Sequence, residues 1–198
     1  MKRTSWSRGA KRLSCFFRTR WRLLVFLALL IAGFAVGCVW FDLQPAVWQE
    51  RLRPWLQTAE NATWLSVGST ACLYRWCLLA VLLAASVSVY GLPFTAAVPF
   101  AYGGLLGLSQ CYWYAQGTAE IWTAALQVLL PAVPQAVAVL MASAEASRMT
   151  VALAGQLLPG GSHVGLWSLW RLCMLRFLLF FGLATVSGAL ETAVRLCF

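Results

Sequence analysis

The fold is decided by residues 76–119, which read WCLLAVLLAASVSVYGLPFTAAVPFAYGGLLGLSQCYWYAQGTA and lie between Arg75 and Glu120. None of the residues in this stretch is charged. About 20 apolar residues suffice to cross the ~30 Å hydrocarbon core of a bilayer, so the stretch has room for two spans. Its main interruption is Gly91-Leu92-Pro93, which predicts a tight junction between two membrane helices. We interpret this junction either as a cytoplasmic turn or as a re-entrant segment.

The composition extends this conclusion to the whole chain. Of its 198 residues, 61% are hydrophobic and only 11% are charged, and the mean hydropathy is +0.75. A soluble domain cannot bury that much apolar surface, whereas a polytopic membrane protein need not. A transmembrane β-barrel would show alternating segments of about ten residues, but the apolar runs here are continuous. We therefore predict an all-α helix bundle in a membrane, with Gly/Pro breaks in its helices.

The basic residues are concentrated at the N-terminus, where no acidic residue accompanies them. Eight of the fifteen fall within residues 1–22, namely Lys2, Arg3, Arg8, Lys11, Arg12, Arg18, Arg20 and Arg22. Such a cluster is typical of nucleic-acid binding or of a cytoplasmic tail that contacts anionic headgroups. A membrane span follows at once, which favours the tail. We divide the chain into a basic cytoplasmic tail, residues 1–22, and a single integral membrane domain, residues 23–198.

Five spans are predicted from the apolar runs, at about 23–41, 67–90, 94–114, 121–143 and 170–190. Between the first two spans, residues 42–65 form an amphipathic segment on the extracytoplasmic side.

Apolar residues recur in the amphipathic segment at helical spacing, and Trp48 and Trp55 are among them. These two side chains are interfacial anchors or contacts for a partner.

The fourth span contains Pro131 and Pro134, followed by Gln135. A proline removes a backbone donor and clashes with the preceding turn, so we expect this helix to kink or unwind there. The carbonyls that are freed need partners from neighbouring helices or from water. We interpret Gln135 first as a residue that bonds to those carbonyls and second as a ligand contact.

Two G-x-x-x-G motifs are present, Gly33 with Gly37 and Gly103 with Gly107. This spacing lets two helices approach closely. Packing within the chain is the favoured interpretation, and a homo-oligomer is the alternative.

No catalytic constellation is found. His163 is the only histidine, and none of the seven cysteines forms a C-x-x-C pair. We therefore expect no enzyme activity, no cofactor and no metal site. Glu120 and Glu145 bracket the fourth span near its ends, where a carboxylate is easily solvated, so proton or ion coupling is disfavoured.

Three motifs occur in an order that resembles a known family. They are SVSVYGLP at 86–93, YGGLLG at 102–107 and LLPAVPQ at 129–135. Together with the basic tail, the first span and the outer amphipathic segment, they make the chain similar to stage II sporulation protein M of endospore-forming bacteria. The likeness is sharpest over about residues 80–140.

The resemblance implies a function that the residues alone do not. Members of this family lie in the sporulation septum and the engulfing membranes, and they hold two peptidoglycan-degrading partners, stage II sporulation proteins D and P. The family carries no motif of catalytic residues. The expectation is thus a non-enzymatic membrane scaffold for forespore engulfment.

The alternative is a membrane subunit of a transporter or permease, because broken helices often line substrate sites. Pro93, Pro99, Pro131 and Pro134 supply candidate breaks. The absence of a visible inverted repeat and of an acidic residue at mid-span counts against it.

The distribution of arginines and lysines predicts the topology. A cytoplasmic N-terminus with five spans places eleven basic residues inside, the eight of the tail with Arg148, Arg171 and Arg176. It leaves four outside, Arg51, Arg53, Arg75 and Arg195, which agrees with the positive-inside rule. An enzymatic reporter that works only outside the cell should be active when fused at Phe198 and silent near Ser162. The reverse pattern would contradict this topology.

Overall fold

The computed structural model describes residues 4–43, 64–115, 121–157 and 166–197, and within them the side chains of 21–43, 64–115, 128–156 and 167–195. This part of the chain forms five α-helices: α1 Thr4–Leu43, α2 Trp64–Val87, α3 Leu92–Ala115, α4 Ile121–Leu157 and α5 Leu166–Cys197. Each contains a stretch that is long and apolar enough to cross a membrane. The protein is therefore an α-helical bundle of the multi-pass membrane class, as the sequence predicts.

Several helices are longer than the predicted spans. α1 begins at Thr4, so the tail and the first span share one 40-residue helix. α4 continues to Leu157, fourteen residues beyond the predicted end of the fourth span at about residue 143. Polar side chains in this extension form local or interhelical bonds. Ser147 Oγ donates to the Ala144 carbonyl at 2.9 Å.

The prolines do not break the helices. Pro99 lies inside α3, and Pro131 and Pro134 lie inside the 37-residue α4. Of the two expected effects on α4, a kink or an unwound segment, the unwound segment is therefore wrong.

The junction around Gly91 is a turn between two full spans. α2 and α3 each have 24 residues, about 36 Å of helix, and this length favours a turn over a re-entrant segment. Between them Val89–Gly91 forms a single 3-10 turn, in which the Gly91 amide donates to the Ser88 carbonyl at 3.1 Å. A Cβ at Gly91 would overlap the Ala85 carbonyl oxygen, so no larger residue fits. Pro93 follows in the first turn of α3, where a missing amide hydrogen costs little.

The helices alternate in direction. α5 runs antiparallel to α4, because Ser187 contacts Pro131 and Arg176 contacts Glu145. α1 runs parallel to α3, because Gly33 faces Phe100 while Gly37, one turn later, faces Gly104. This is the order that five successive crossings produce.

The two G-x-x-x-G motifs pack against each other. A Cβ at Gly33 or Gly37 would overlap a backbone carbonyl of α3, and a Cβ at Gly103 or Gly107 would overlap one of α1. The backbones of α1 and α3 are thus in direct contact, with no room for a side chain between them. The structure thus shows packing within the chain, the interpretation that we favour for the two motifs.

The core lies among α2, α3, α4 and α5. Leu79 and Leu82 of α2, Val139 of α4 and Phe177 of α5 are almost fully buried there. Alanines at three successive turns of α4, Ala138, Ala142 and Ala146, have no exposed surface. Small residues bring neighbouring helices close enough for dispersion contacts, which replace the hydrophobic effect inside a bilayer.

Adjacent glycines in α3 provide a matched test of the α1–α3 contact. Gly103→Ala should destabilise the bundle by roughly 1–3 kcal/mol, because its methyl group would meet the Leu30 carbonyl oxygen and force the helices apart. Gly104→Ala should be neutral or stabilising, since its methyl group would lie 3.6 Å from the Gly33 carbonyl oxygen, an ordinary contact, and alanine favours helix. Thermal unfolding of the purified protein in detergent measures both. Equal behaviour of the two variants would contradict the packing described here.

Candidate functional site

The most informative site is a buried ion pair that joins α2 to α5. Arg75 is the twelfth residue of the 24-residue α2, and only 7% of its surface is exposed. Its Nε donates to Ser187 Oγ at 2.9 Å and its Nη1 to the Ala71 carbonyl at 2.8 Å. Its Nη2 forms an ion pair with Glu191. The topology prediction counts Arg75 among the basic residues on the outer side, whereas its backbone lies in the middle of α2 and its guanidinium points back along the helix toward Ala71.

Glu191 extends this network toward the end of α5. One carboxylate oxygen binds Arg75 and the other binds Arg195, one turn further on. The Arg195 side chain is 30% exposed, so the network leads from the buried interior to the surface. A charge at the bilayer centre costs about 2.5–3.5 kcal/mol when it is unpaired, and pairing offsets that cost. The i,i+4 spacing of Glu191 and Arg195 is visible in the sequence, but the pairing with Arg75 is not.

The carbonyls beside the α4 prolines are bonded by neighbouring helices. Pro134 cannot donate to the carbonyl four residues earlier, which weakens the ladder around it. Ser187 Oγ donates to the Pro131 carbonyl at 2.5 Å, and the Tyr102 hydroxyl donates to the Ala132 carbonyl at 3.3 Å. α5 and α3 thus support α4 at its weakest point.

Gln135 has a different environment from the one we expect. Its side chain has no exposed surface, and neither Nε2 nor Oε1 finds a hydrogen-bond partner among the described residues. The expectation that it bonds to carbonyls freed by the prolines is therefore wrong, since neither atom of the amide forms such a bond within the described part of the chain. An unpaired buried polar group costs about 1–3 kcal/mol. The interpretation of Gln135 as a ligand contact stays open.

A second charged cluster joins α4 to α5. Arg176 Nη1 donates to Glu145 Oε2 at 2.6 Å, and Arg148 Nη1 lies 3.8 Å from Glu145 Oε1. Glu145 is only 13% exposed at its side chain and lies well inside α4, not near a helix end. Because Arg176 and Glu191 are fifteen positions apart on α5, the two clusters are separated by about 22 Å along that helix.

The structure distributes the predicted site residues over three places. Gly91 and Pro93 lie at the α2–α3 junction, and Gly103 and Gly107 form the contact with α1. On α4, Pro131 and Gln135 are buried and Pro134 is half-buried. Trp48 and Trp55 lie outside the described residues, as do Glu120 and His163. Among the side chains that the structure describes, no group of three His, Cys, Asp or Glu residues could hold a metal ion.

Sequence reasoning missed Arg75 and Glu191 as a pair. The available signal was a lone arginine inside an otherwise apolar span and an acidic residue near the end of another. Charged residues in such positions pair with each other or line a functional pathway. Their pairing joins two helices whose sequences are more than a hundred residues apart.

Comparison with protein-family models, with curated proteins and with solved structures finds no match to this chain.

Removing one member of the buried pair should be more damaging than removing its exposed extension. Arg75→Met leaves Glu191 with one cation fewer in a buried site, and breaking such a pair costs about 3–5 kcal/mol. Arg195→Met should cost less, because its side chain is partly exposed. Thermal unfolding in detergent measures both variants.

The double variant Arg75→Met/Glu191→Met completes this experiment. It removes both charges of the α2–α5 pair, so its stability should recover toward that of the original protein. Equal losses for Arg75→Met and Arg195→Met would show that burial of the pair has no energetic consequence.

Proposed function

We propose that this protein is a non-enzymatic integral membrane scaffold of the sporulation engulfment machinery. It recruits peptidoglycan-degrading partners and holds them at the septum. The motifs that resemble stage II sporulation protein M support this assignment, and they imply stage II sporulation proteins D and P as the partners. In this proposal the N-terminus is cytoplasmic, the C-terminus is extracytoplasmic and residues 42–65 face the partners.

The observation that carries the proposal is the way the charges inside the bundle are used. Arg75 binds Glu191 across α2 and α5, and Glu145 binds Arg176 across α4 and α5. These pairs are cross-links between helices. A scaffold acts by presenting surfaces in a fixed geometry, and cross-links at two levels of the bundle maintain such a geometry.

The packing supports the same conclusion. Leu79 and Leu82 are fully buried in the core, and the close backbone approach at Gly103 fixes α1 on α3. Protein interiors that are packed in this way deform little. A rigid bundle would hold two extracytoplasmic partners at a constant separation.

A membrane subunit of a transporter or permease is the second candidate, and one observation favours it. Gln135 is buried without a partner among the described residues, and it lies ten positions, about 15 Å, from Glu145 along α4. An unsatisfied amide between two charged clusters is a reasonable contact for a polar substrate. Broken helices do not support this candidate, because α3 and α4 are continuous.

Gln135→Leu separates the two candidates. Gln135 forms no side-chain bond among the described residues, so its replacement removes no cross-link. In a scaffold, Gln135→Leu should leave engulfment intact and keep or raise stability, since a buried unpaired amide is lost. In a transporter, the same change should abolish the activity at a normal protein level. Substitutions of Glu145 or Glu191 separate the two candidates less well, because each would also break an ion pair between helices.

The scaffold proposal also predicts a surface effect. Deleting the gene should stop engulfment, and so should the combined change of Trp48 and Trp55 to Ser. Each large aromatic side chain can contribute on the order of 2 kcal/mol at a contact, so losing both should release a partner. Engulfment under the microscope and the localisation of the hydrolases are the measurements.

Trp167→Ser is the matched control, because Trp167 is an exposed tryptophan near the start of α5, outside the segment 42–65. Normal engulfment after deletion of the gene, or a block by Gln135→Leu with the hydrolases correctly localised, would contradict the scaffold.

A further inference from the structure

An apolar groove lies between α1 and α4. Its volume is about 400 Å³, and its walls are Leu23, Leu24 and Leu27 of α1 and Val137, Leu140 and Met141 of α4. Leu24 and Met141 are substantially exposed, so the groove is accessible from the outside of the bundle. Walls made only of apolar side chains are suited to binding a hydrocarbon chain.

A cation lies in line with the groove on α4. Arg148 follows Met141 by seven positions, two helical turns, so the two side chains share a helix face. From Val137 to Arg148 the helix rises over eleven positions, about 16 Å. Half of a ~30 Å hydrocarbon core is about 15 Å. An acyl chain whose phosphate lies at Arg148 is therefore long enough to reach Val137 at the far end of the groove.

The other wall of the groove ends in a cation at the same side. α1 is parallel to α3. α3 runs antiparallel to α4. Thr150 of α4 bonds to the carbonyl of Ala85, just before the α2–α3 turn, whereas Tyr102, further along α3, bonds to the carbonyl of Ala132, which comes earlier on α4. The start of the α1 span therefore lies at the Arg148 end of α4. Arg22 precedes Leu23 there.

Arg148 retains hydrogen-bond donors for a ligand. Its side chain is 51% exposed, and its nearest acid, Glu145, is 3.8 Å away. Glu145 is already bonded to Arg176 at 2.6 Å. The single carboxylate thus positions Arg148 but does not neutralise both guanidinium groups, and with Arg22 the three arginines outnumber it by two.

We propose that this groove binds one anionic phospholipid, with an acyl chain between α1 and α4 and the phosphate held by Arg148 and Arg22. The ligand belongs to the leaflet on the side of the N-terminus. Such a site is more specific than contact between the basic tail and a charged surface, because chain and headgroup are recognised together. It would fix α1 against α4 in a membrane that contains the lipid.

Native mass spectrometry of the detergent-purified full chain tests the proposal. After incubation with dioleoyl phosphatidylglycerol, the protein should retain one lipid, and dioleoyl phosphatidylcholine should be retained much less. Arg148→Gln should weaken phosphatidylglycerol retention about fivefold, the effect of one cation near an anionic lipid. Met141→Trp should abolish retention by filling the groove. Leu24→Trp fills it from the other wall, so two separate variants guard against a folding defect in one.

Matched controls are available on α5. Arg171→Gln removes an exposed arginine that does not line the groove, and Leu178→Trp adds an indole on an exposed face away from it. Both should retain phosphatidylglycerol normally, and soluble glycerol phosphate should not displace the lipid. Equal retention of phosphatidylcholine, equal losses for Arg148→Gln and Arg171→Gln, or retention by both tryptophan variants of the groove would overturn the proposal.

Discussion

The structure depends on one constraint, which is that a charge in the interior of a membrane bundle must be paired. Arg75 is in the middle of α2 and is almost fully buried. Its guanidinium binds Glu191, Ser187 and the Ala71 carbonyl, so it draws α5 against α2. Ser187 in turn bonds to the Pro131 carbonyl and brings α4 to the same place. One buried cation thereby orders three helices, and the proline-containing part of α4 is supported by the same bonds.

The α1 helix is attached by a different interaction. It contributes less to the buried core than the other spans, and glycines on α1 and α3 place the two backbones in direct contact. Contacts of this kind depend on shape, since lipid chains are as apolar as the helices and provide no hydrophobic driving force. The bundle therefore has a part that is cross-linked by charges and a helix that is held by close packing. The proposed lipid groove lies where this helix meets α4.

These features are consistent with a protein that works through its surfaces. The charges inside the bundle hold helices together, and the exposed groups are available to lipids or to other proteins. Gln135 is the exception, because it is polar, buried and without a partner among the described residues. Natural proteins keep such groups at a cost in stability. Its role is the feature that distinguishes a passive scaffold from a protein that binds a polar ligand within the membrane.

Hydropathy was enough to predict the class of fold and the number of spans, because the bilayer imposes a minimum length on each apolar run. Gly91-Leu92-Pro93 predicted the junction between α2 and α3. The glycine spacing was likewise enough to predict a close helix contact.

The partners of the buried polar groups were decided by tertiary structure alone. Arg75 and Glu191 meet because α2 and α5 pack antiparallel, and Glu145, in the part of α4 beyond residue 143, is paired with Arg176 of α5. Pro131 and Pro134 predict a disrupted helix when only local sterics are considered, but α4 continues through them with Ser187 and Tyr102 bonded to the adjacent carbonyls. The local sequence pattern of a helix shows whether it lies in lipid or in water. Which polar groups pair depends on which helices become neighbours, and this is decided only in the assembled bundle.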